Sequence, residues 1–522
     1  MTWTSRTGRL TIMAVVTVAA IAPCPTPLVA AGGKLQLNVV DSQTGEPIAC
    51  RMHLKNQAGR PVKAPRQPFF HDHFVFDGTI KLELPRGNYT FELECGPEYL
   101  QRSGHFGIND FADDQKHVDM KRFIDMSAEG WWSGDLHVHR PVKDIELLMR
   151  ADDLHVVPLL TWWNKKSHWQ RAAMPKQPLV RFDDDRYYHL MGGENEREGG
   201  ALLLLNLPRP LDIDQATREY PSGLAFVEQA RSLHAEAGAD QPPLWVDAEK
   251  PFWWDFPVWV AHGMIDSVGL ANNHMQRTKM LENEAWGRPR DTGRLPPPLG
   301  NALWTQEIYY HLLNCGIRLP PSAGSASGVL PNPIGYNRVY VFVGENFSYE
   351  KWWEGFKAGR VMVTNGPLIR PIVAGKLPGH VFQAPAGGEL NLDAVLNMAT
   401  RDKVSYLEVV KNGKVDISLR VEDWAKTGEL PTIHFDASGW FLIRAVADND
   451  KTYRFASTGP YYVEVGNQPR ISKTSAQFFL DWVDQRRSRI KLTDEKQLES
   501  VLKYHDQALQ FWQELVDKAN AL

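Results

Sequence analysis

Over residues 34–126, apolar and polar positions alternate in short runs: "KLQLNVVD", "CRMHLKN", "TIKLELP" and "GNYTFELECG". Side chains two apart share one face of a strand, so each run offers one apolar face and one polar face. Turn-forming clusters ("SQTGEP", "NQAGRP", "PRGN") separate the runs. The pattern predicts a small antiparallel β-sandwich over residues 32–126. From Trp131 the period changes. Strand-like runs now alternate with helical ones, as in "DIELLMRADDL" then "HVVPLLTWW", and "AFVEQARSLHAEAG" then "PLWVDAE". Repeated β-α units predict a parallel sheet with helices outside it over residues 127–370, as a barrel or a doubly wound sheet. Over residues 371–466 alternation returns ("SYLEVVKNG", "GWFLIRAVAD", "GPYYVEVG"), which predicts a second sandwich. Residues 467–522 carry apolar side chains at i, i+3, i+4 spacing and read as a helical tail, packed onto the body or used for partner binding.

Residues 1–31 change the picture first. Arg6 and Arg9 precede the apolar "LTIMAVVTVAAIA", and small residues follow in "LVAAGG". This is the pattern of an export signal cleaved after Ala31, so a periplasmic or extracellular protein is expected. The apolar run is shorter than the roughly 20 residues of a membrane-spanning helix, and no other span is expected. A chain of 522 residues exceeds one hydrophobic core and calls for several domains. With 58 basic and 62 acidic side chains its net charge is −4, and it has no Lys/Arg-dense stretch, which argues against nucleic acid as a partner. No glycine-rich phosphate loop follows any strand, which argues against nucleotide binding. Beyond the leader, Cys50 and Cys95 fall in the first sandwich, where a disulfide and two buried thiols are equally compatible with the sequence. The oligomeric state is not fixed by the sequence.

Candidate chemistry begins at "WWSGDLHVHRP". His137 and His139 are two apart at the end of an extended run, so their imidazoles converge on one side. Hydrolytic metal sites are built from such histidines with Asp or Glu, at the ends of strands. Asp135 shares the face of His137 and is expected to hold its ring by a hydrogen bond. Glu194 ends "YYHLMGGE", Asp247 and Glu249 end "WVDAE", and Asn272 and His274 end "LANNH". The ligand set read here is His137, His139, Glu194 and Asp247, with His274 and Glu249 as general acid/base candidates. Lys250 is expected to point to the opposite face from Glu249. "GSASG" places Ala326 where a nucleophile elbow needs serine, and there is no HExxH. Serine-hydrolase and zincin readings are thereby excluded.

"GDLHVH", the β-α units after it, and "PNPIGYNRVYVF" resemble the metal-dependent hydrolases of the polymerase-and-histidinol-phosphatase (PHP) superfamily, and within it the exported CehA/McbA family. The resemblance runs from about residue 131 to 371. It implies a distorted seven-stranded β/α barrel with a two- or three-metal centre at one end. The chain departs from that pattern at three places. Gly200 and Ala201 stand where a histidine is usual, Asp247 where a His-Pro is usual, and "GSASG" where a Ser-Asp-x-His is usual. The resemblance therefore implies a reduced ligand set holding one or two ions of zinc, manganese or iron.

Among 18 tryptophans, four Trp-Trp pairs occur. Trp162-Trp163 and Trp253-Trp254 fall near the expected mouth, where aromatic faces would stack on a ligand or seal the barrel end. Arg140, Asn337 and Arg338 are the polar candidates for substrate contact. Two functions fit these features. One is an exported hydrolase acting on an ester, phosphoester or carbamate-like bond of a small molecule or glycan-like substrate. The other is a non-catalytic ligand- or glycan-binding protein on a degenerate barrel.

Overall fold

The computed structural model describes residues 32–238 and 241–522; the expected export signal lies outside them. Strands make up 38% of the chain and helices 21%, so β-structure dominates. Residues 32–120 form two sheets, one of three strands and one of five, closed on a core that includes Leu37, Met52, Phe76 and Leu93. Cys50 and Cys95 are free thiols buried in that core.

At the centre, seven extended segments close on themselves. Trp131–Gly134, continued through residues 135–139, pairs parallel with Val156–Trp163, and that strand pairs parallel with Arg186–Arg197. Gly200–Leu205 and Trp245–Ala248 follow, then Ser267–Ala271 and Pro321–Ala323. Closure comes where Leu136 N donates to Ala323 O at 3.1 Å and His139 N donates to Ser327 O at 2.8 Å. The ring is not all parallel, as the β-α pattern had suggested. Arg186–Arg197 and Gly200–Leu205 form a hairpin, and Trp245–Ala248 is antiparallel to its neighbour. The continuous run "ALLLLNL" belongs to a strand buried on both faces, which the hydrophobic pattern alone cannot orient. Helices Ile145–Ala151, Gly223–Glu236, Phe256–Ala261 and Gly300–Asn314 lie in the connections between ring strands.

The second sandwich is joined to this ring by continuous hydrogen bonding. Arg338–Phe342 pairs with Trp131–Gly134 and with Val361–Thr364, and Val361–Thr364 pairs with Phe455–Thr458. The expected boundary at residue 371 falls within the strand Leu368–Val373. Strands run unbroken across it because both flanking sheets bury the same side chains, Tyr340, Met362 and Leu368 among them. The chain ends in two helices, Lys473–Arg489 and Glu495–Asp517, started by side-chain caps from Ser472 and Asp494. Trp512 anchors the last helix: its ring stacks on Phe479 at 4.6 Å and its Nε1 donates to Pro257 O at 3.0 Å. No helix among the described residues is long and apolar enough to cross a membrane.

Candidate metal centre

His137 and His139 project from the ring segment that closes the sheet, flanked by Val156–Trp163 on one side and residues 323–327 on the other. Their Nε2 atoms lie 3.1 Å apart. Glu194 Oε2 lies 3.5 Å from His137 Nε2 and 3.0 Å from His139 Nε2. Two ligands each about 2.1 Å from a tetrahedral ion stand about 3.4 Å apart. The three edges therefore match one divalent ion, and the donor types match as well. Glu194 is buried and sits within its strand, whereas the sequence suggested a strand end. Gly192-Gly193 does not turn the chain; it makes room, since a Cβ on Gly193 would fall 1.7 Å from the Trp162 ring.

The other side of the His137 ring is fixed too. Nδ1 lies 3.2 Å from Glu249 Oε1. With the proton on Nδ1, the Nε2 lone pair faces His139 and Glu194. Glu249 also accepts from Asn273 Nδ2 at 2.7 Å, from Trp253 Nε1 at 3.3 Å and from Lys250 Nζ, so Lys250 folds back onto it rather than pointing away. These four partners, His137, Asn273, Trp253 and Lys250, fix the Glu249 carboxylate behind the His137 ring. The Glu249→Gln variant is expected to bind zinc about 10–100-fold more weakly with the fold retained, measured by competition with a chromophoric chelator.

Burial pushes the His137 pKa down, but Glu194 and Glu249 more than offset this and raise it to about 10. Glu194 is held below the usual carboxylate range: burial raises it, and the two histidines lower it further than that. The cluster thus demands positive charge.

Several expected site residues are placed elsewhere. Asp135 does not touch the His137 ring. It accepts from the backbone N–H groups of His137 and Ser325 at 3.0 Å each, from Gly335 N at 2.7 Å and from the Ser325 hydroxyl, and so ties three segments of the ring together. Asp247 accepts from the Ser267 and Ser322 hydroxyls and lies outside the His137, His139 and Glu194 cluster, its pKa raised to about 6 by burial. His274 packs its ring on Phe252 at 5.3 Å, is buried, and makes no direct contact with the cluster among the described residues. Burial, with Lys250 nearby, holds its pKa at about 3, which removes it as a proton carrier near neutrality.

Substrate-binding expectations are revised in the same way. Arg140 covers the Phe70 ring of the first sandwich at 4.7 Å. Asn337 donates to the carbonyls of Asn272, Met275 and Gly324, and Arg338 to those of Asp152, Asp153 and Gly335. Asn337 and Arg338 thus tie loops together through backbone carbonyls. Trp162 and Trp253 are buried, and Trp254 lies under Arg489 of the helical tail at 4.2 Å. Trp162 and Trp163 line a cavity of about 460 Å³ together with His139, and Trp163 also lines a second one. The second has a volume of about 450 Å³ and is shared with Lys166, Asn195, Glu196, Arg197 and Arg218. The Trp163 ring also stands 5.6 Å from that of His139, which puts this cavity beside the cluster.

Sequence reasoning missed two residues of this wall. Glu196 accepts from Trp163 Nε1 at 2.9 Å, and burial together with Glu194 and Glu249 pushes its pKa up to about 7. Asn195 is buried with neither side-chain polar atom paired. The i, i+2 spacing of "ENE" was the available signal for Glu196, the same signal that drew attention to Asp247 and Glu249.

Gly324 approaches closely as well: a Cβ there would sit 2.4 Å from the His137 Cβ. Gly324→Ala is expected to cost about 1–3 kcal/mol in chemical denaturation and to displace His137, weakening metal uptake in the same protein.

No family model matches the chain, and no curated protein matches it. Among solved structures it is similar to the Bacillus anthracis TIE protein at 22% identity and a TM-score of 0.15, over 22% of this chain and 20% of that one. It is similar to the apo structure of Bacteroides uniformis beta-glucuronidase 3 at 12% identity and a TM-score of 0.17, over 82% of this chain and 61% of that one. Scores this low carry no argument about fold or activity.

Proposed function

We propose that the chain is a metal-dependent hydrolase whose ion is held by His137, His139 and Glu194. The observation that carries this reading is the triangle of Nε2, Nε2 and Oε2 atoms with edges of 3.0–3.5 Å, buried beside a cavity. "GDLHVH" on a closed ring of seven segments supports the PHP-like reading of the sequence, in its reduced form with a single three-ligand position. A zinc, manganese or iron ion there would supply an activated water and polarise the bond under attack. The chain's own residues do the rest. Glu249 orients His137, Trp163 walls the substrate cavity, and Glu196 stands on that wall as the group that protonates the leaving atom. Asn195 is available to orient a polar group of the substrate. The leader supports action outside the cytoplasm. A glycan-binding role has less support, because Trp253 and Trp254 are committed to packing.

The test is turnover of small ester, phosphoester and carbamate chromogens by the chain loaded in turn with zinc, manganese and iron. We expect hydrolysis of at least one class, stopped by a chelator and restored by the ion. A chain that takes up none of these ions, or a loaded chain inert toward all three classes, would overturn the reading.

A further inference from the structure

A second group of metal-binding side chains lies outside the proposed active site, on the first sandwich. His53 sits in the strand Ala49–Asn56, and His73 begins the strand His73–Asp77 that pairs with it. Continuing the register from Met52 opposite Phe74, the two histidines stand directly across from one another, with ring centroids 5.0 Å apart. Asp72 immediately precedes His73 in the turn. His53 Nδ1 and His73 Nδ1 point to the same oxygen, Asp72 Oδ1, at 3.2 and 3.1 Å. The strand alternates, so Met52 and Leu54 face the sandwich core while Arg51 and His53 face the central ring, where Arg51 pairs with Asp152.

We propose that His53, Asp72 and His73 form a cation site of their own, for zinc or a similar divalent ion. Both histidines are buried, and His53 makes no hydrogen bond through either nitrogen. Leaving a buried imidazole unpartnered is unfavourable, and the 3.2 Å approach to Asp72 has the spacing of two ligands around one ion without the alignment of an N–H donor. Two neutral imidazoles and one carboxylate form a donor set typical of zinc. The nearby cations Arg51 and Arg277 oppose an ion here, but both are paired with Glu92, Glu94 and Asp152, which offsets their charge. An ion here would staple the turn holding Asp72 to the strand beneath it, on the face that meets the ring. This is a structural role, separate from the hydrolase reading.

The test is the zinc content of the full chain after loading and removal of free metal. It is run on the wild type, on His53→Gln/His73→Gln and on His137→Ala/His139→Ala. We expect about two equivalents in the wild type and about one in each variant. Equal zinc in the wild type and in His53→Gln/His73→Gln overturns this site. A single equivalent that disappears with His137 and His139 does the same and leaves the hydrolase reading standing. A single equivalent that disappears with His53 and His73 supports this site and removes the other. Should the double variant fail to fold, Asp72→Asn in the half-buried turn decides. A loss of tenfold or more in affinity at one of two zinc sites supports the proposal, and an unchanged titration overturns it.

Discussion

The His137→Ala/His139→Ala variant is expected to lose the active-site ion altogether and, with it, all metal-dependent turnover. Both imidazoles share one carboxylate oxygen at 3.0–3.5 Å, so removing them leaves Glu194 as a single donor with no chelate partner. One exposed carboxylate binds zinc only weakly; a buried one flanked by Glu249 and Glu196 would be driven to take up a proton instead. Elemental analysis of the purified chain reads the metal, and the chromogen assay reads the turnover. The two should fall together. Circular dichroism should stay unchanged, because neither ring is part of a hydrophobic core and the ring closure at residues 136–139 is made by backbone groups. Retention of a stoichiometric, catalytically competent ion in this variant would refute the assignment of the centre.

Arg486→Ala is expected to lower the unfolding free energy by about 3–5 kcal/mol, through the charges it leaves behind. Arg486 is buried in the first tail helix. It donates to Asp255 Oδ1 at 2.7 Å and, as a fork, to the two oxygens of Glu219 at 3.1 and 2.6 Å. Without it Asp255 keeps, among the described residues, His505 Nε2 at 3.4 Å as its remaining charged partner, in a buried site. The pH dependence follows from the same pair. Burial raises the Asp255 pKa, but Arg486 and His505 lower it by more, so it lies below the usual carboxylate range. A depressed folded-state pKa means that the stabilisation is fully present above the unfolded value of about 4 and is lost as pH falls through the folded one. Urea melts of the wild type should therefore show a steeper loss of stability below about pH 4 than melts of Arg486→Ala, in which the pair is already broken.

Much of the architecture could be read from periodicity. Alternation marked the first sandwich and the strands of the second, and i, i+3, i+4 spacing marked the tail helices, because many of these elements, such as Thr79–Pro85 and Leu390–Ala399, have one wet face and one dry face. The ring was harder. Its strands are buried on both sides, so "ALLLLNL" and "WVDAE" carry no alternation to fix their direction, and the antiparallel hairpin at residues 186–205 was missed. The grouping of His137, His139 and Glu194 was legible because the HxH spacing is local. Asp247, His274 and Asp135 were drawn in by the same logic of facing carboxylates and histidines. What separates them from Glu194 is long-range pairing with Ser267, Ser322, Phe252 and Ser325, which no local pattern encodes. The carbonyl partners of Arg338 and Asn337 were illegible for the same reason, since the fold alone brings them near.

The hydrogen-bonded path from Trp131–Gly134 through Arg338–Phe342 and Val361–Thr364 to Phe455–Thr458 determines how the chain can be cut. A fragment ending at residue 370 would strip the partner strand from Val361–Thr364, bare the apolar side chains Met362 and Leu368, and leave an open edge ready to pair with other chains. The first sandwich is different. Among the described residues no ladder joins its sheets to the rest, and buried ion pairs such as Arg51–Asp152 meet the ring across that face. Excision at about residue 121 would break the backbone bonds Leu100 N to Lys121 O and Phe123 N to Glu98 O and bare Ala49 and Val75, whereas the ring and the second sandwich, sharing one hydrogen-bonded path, are expected to melt together, so that the His137, His139 and Glu194 cluster depends on strands more than 300 residues along the chain.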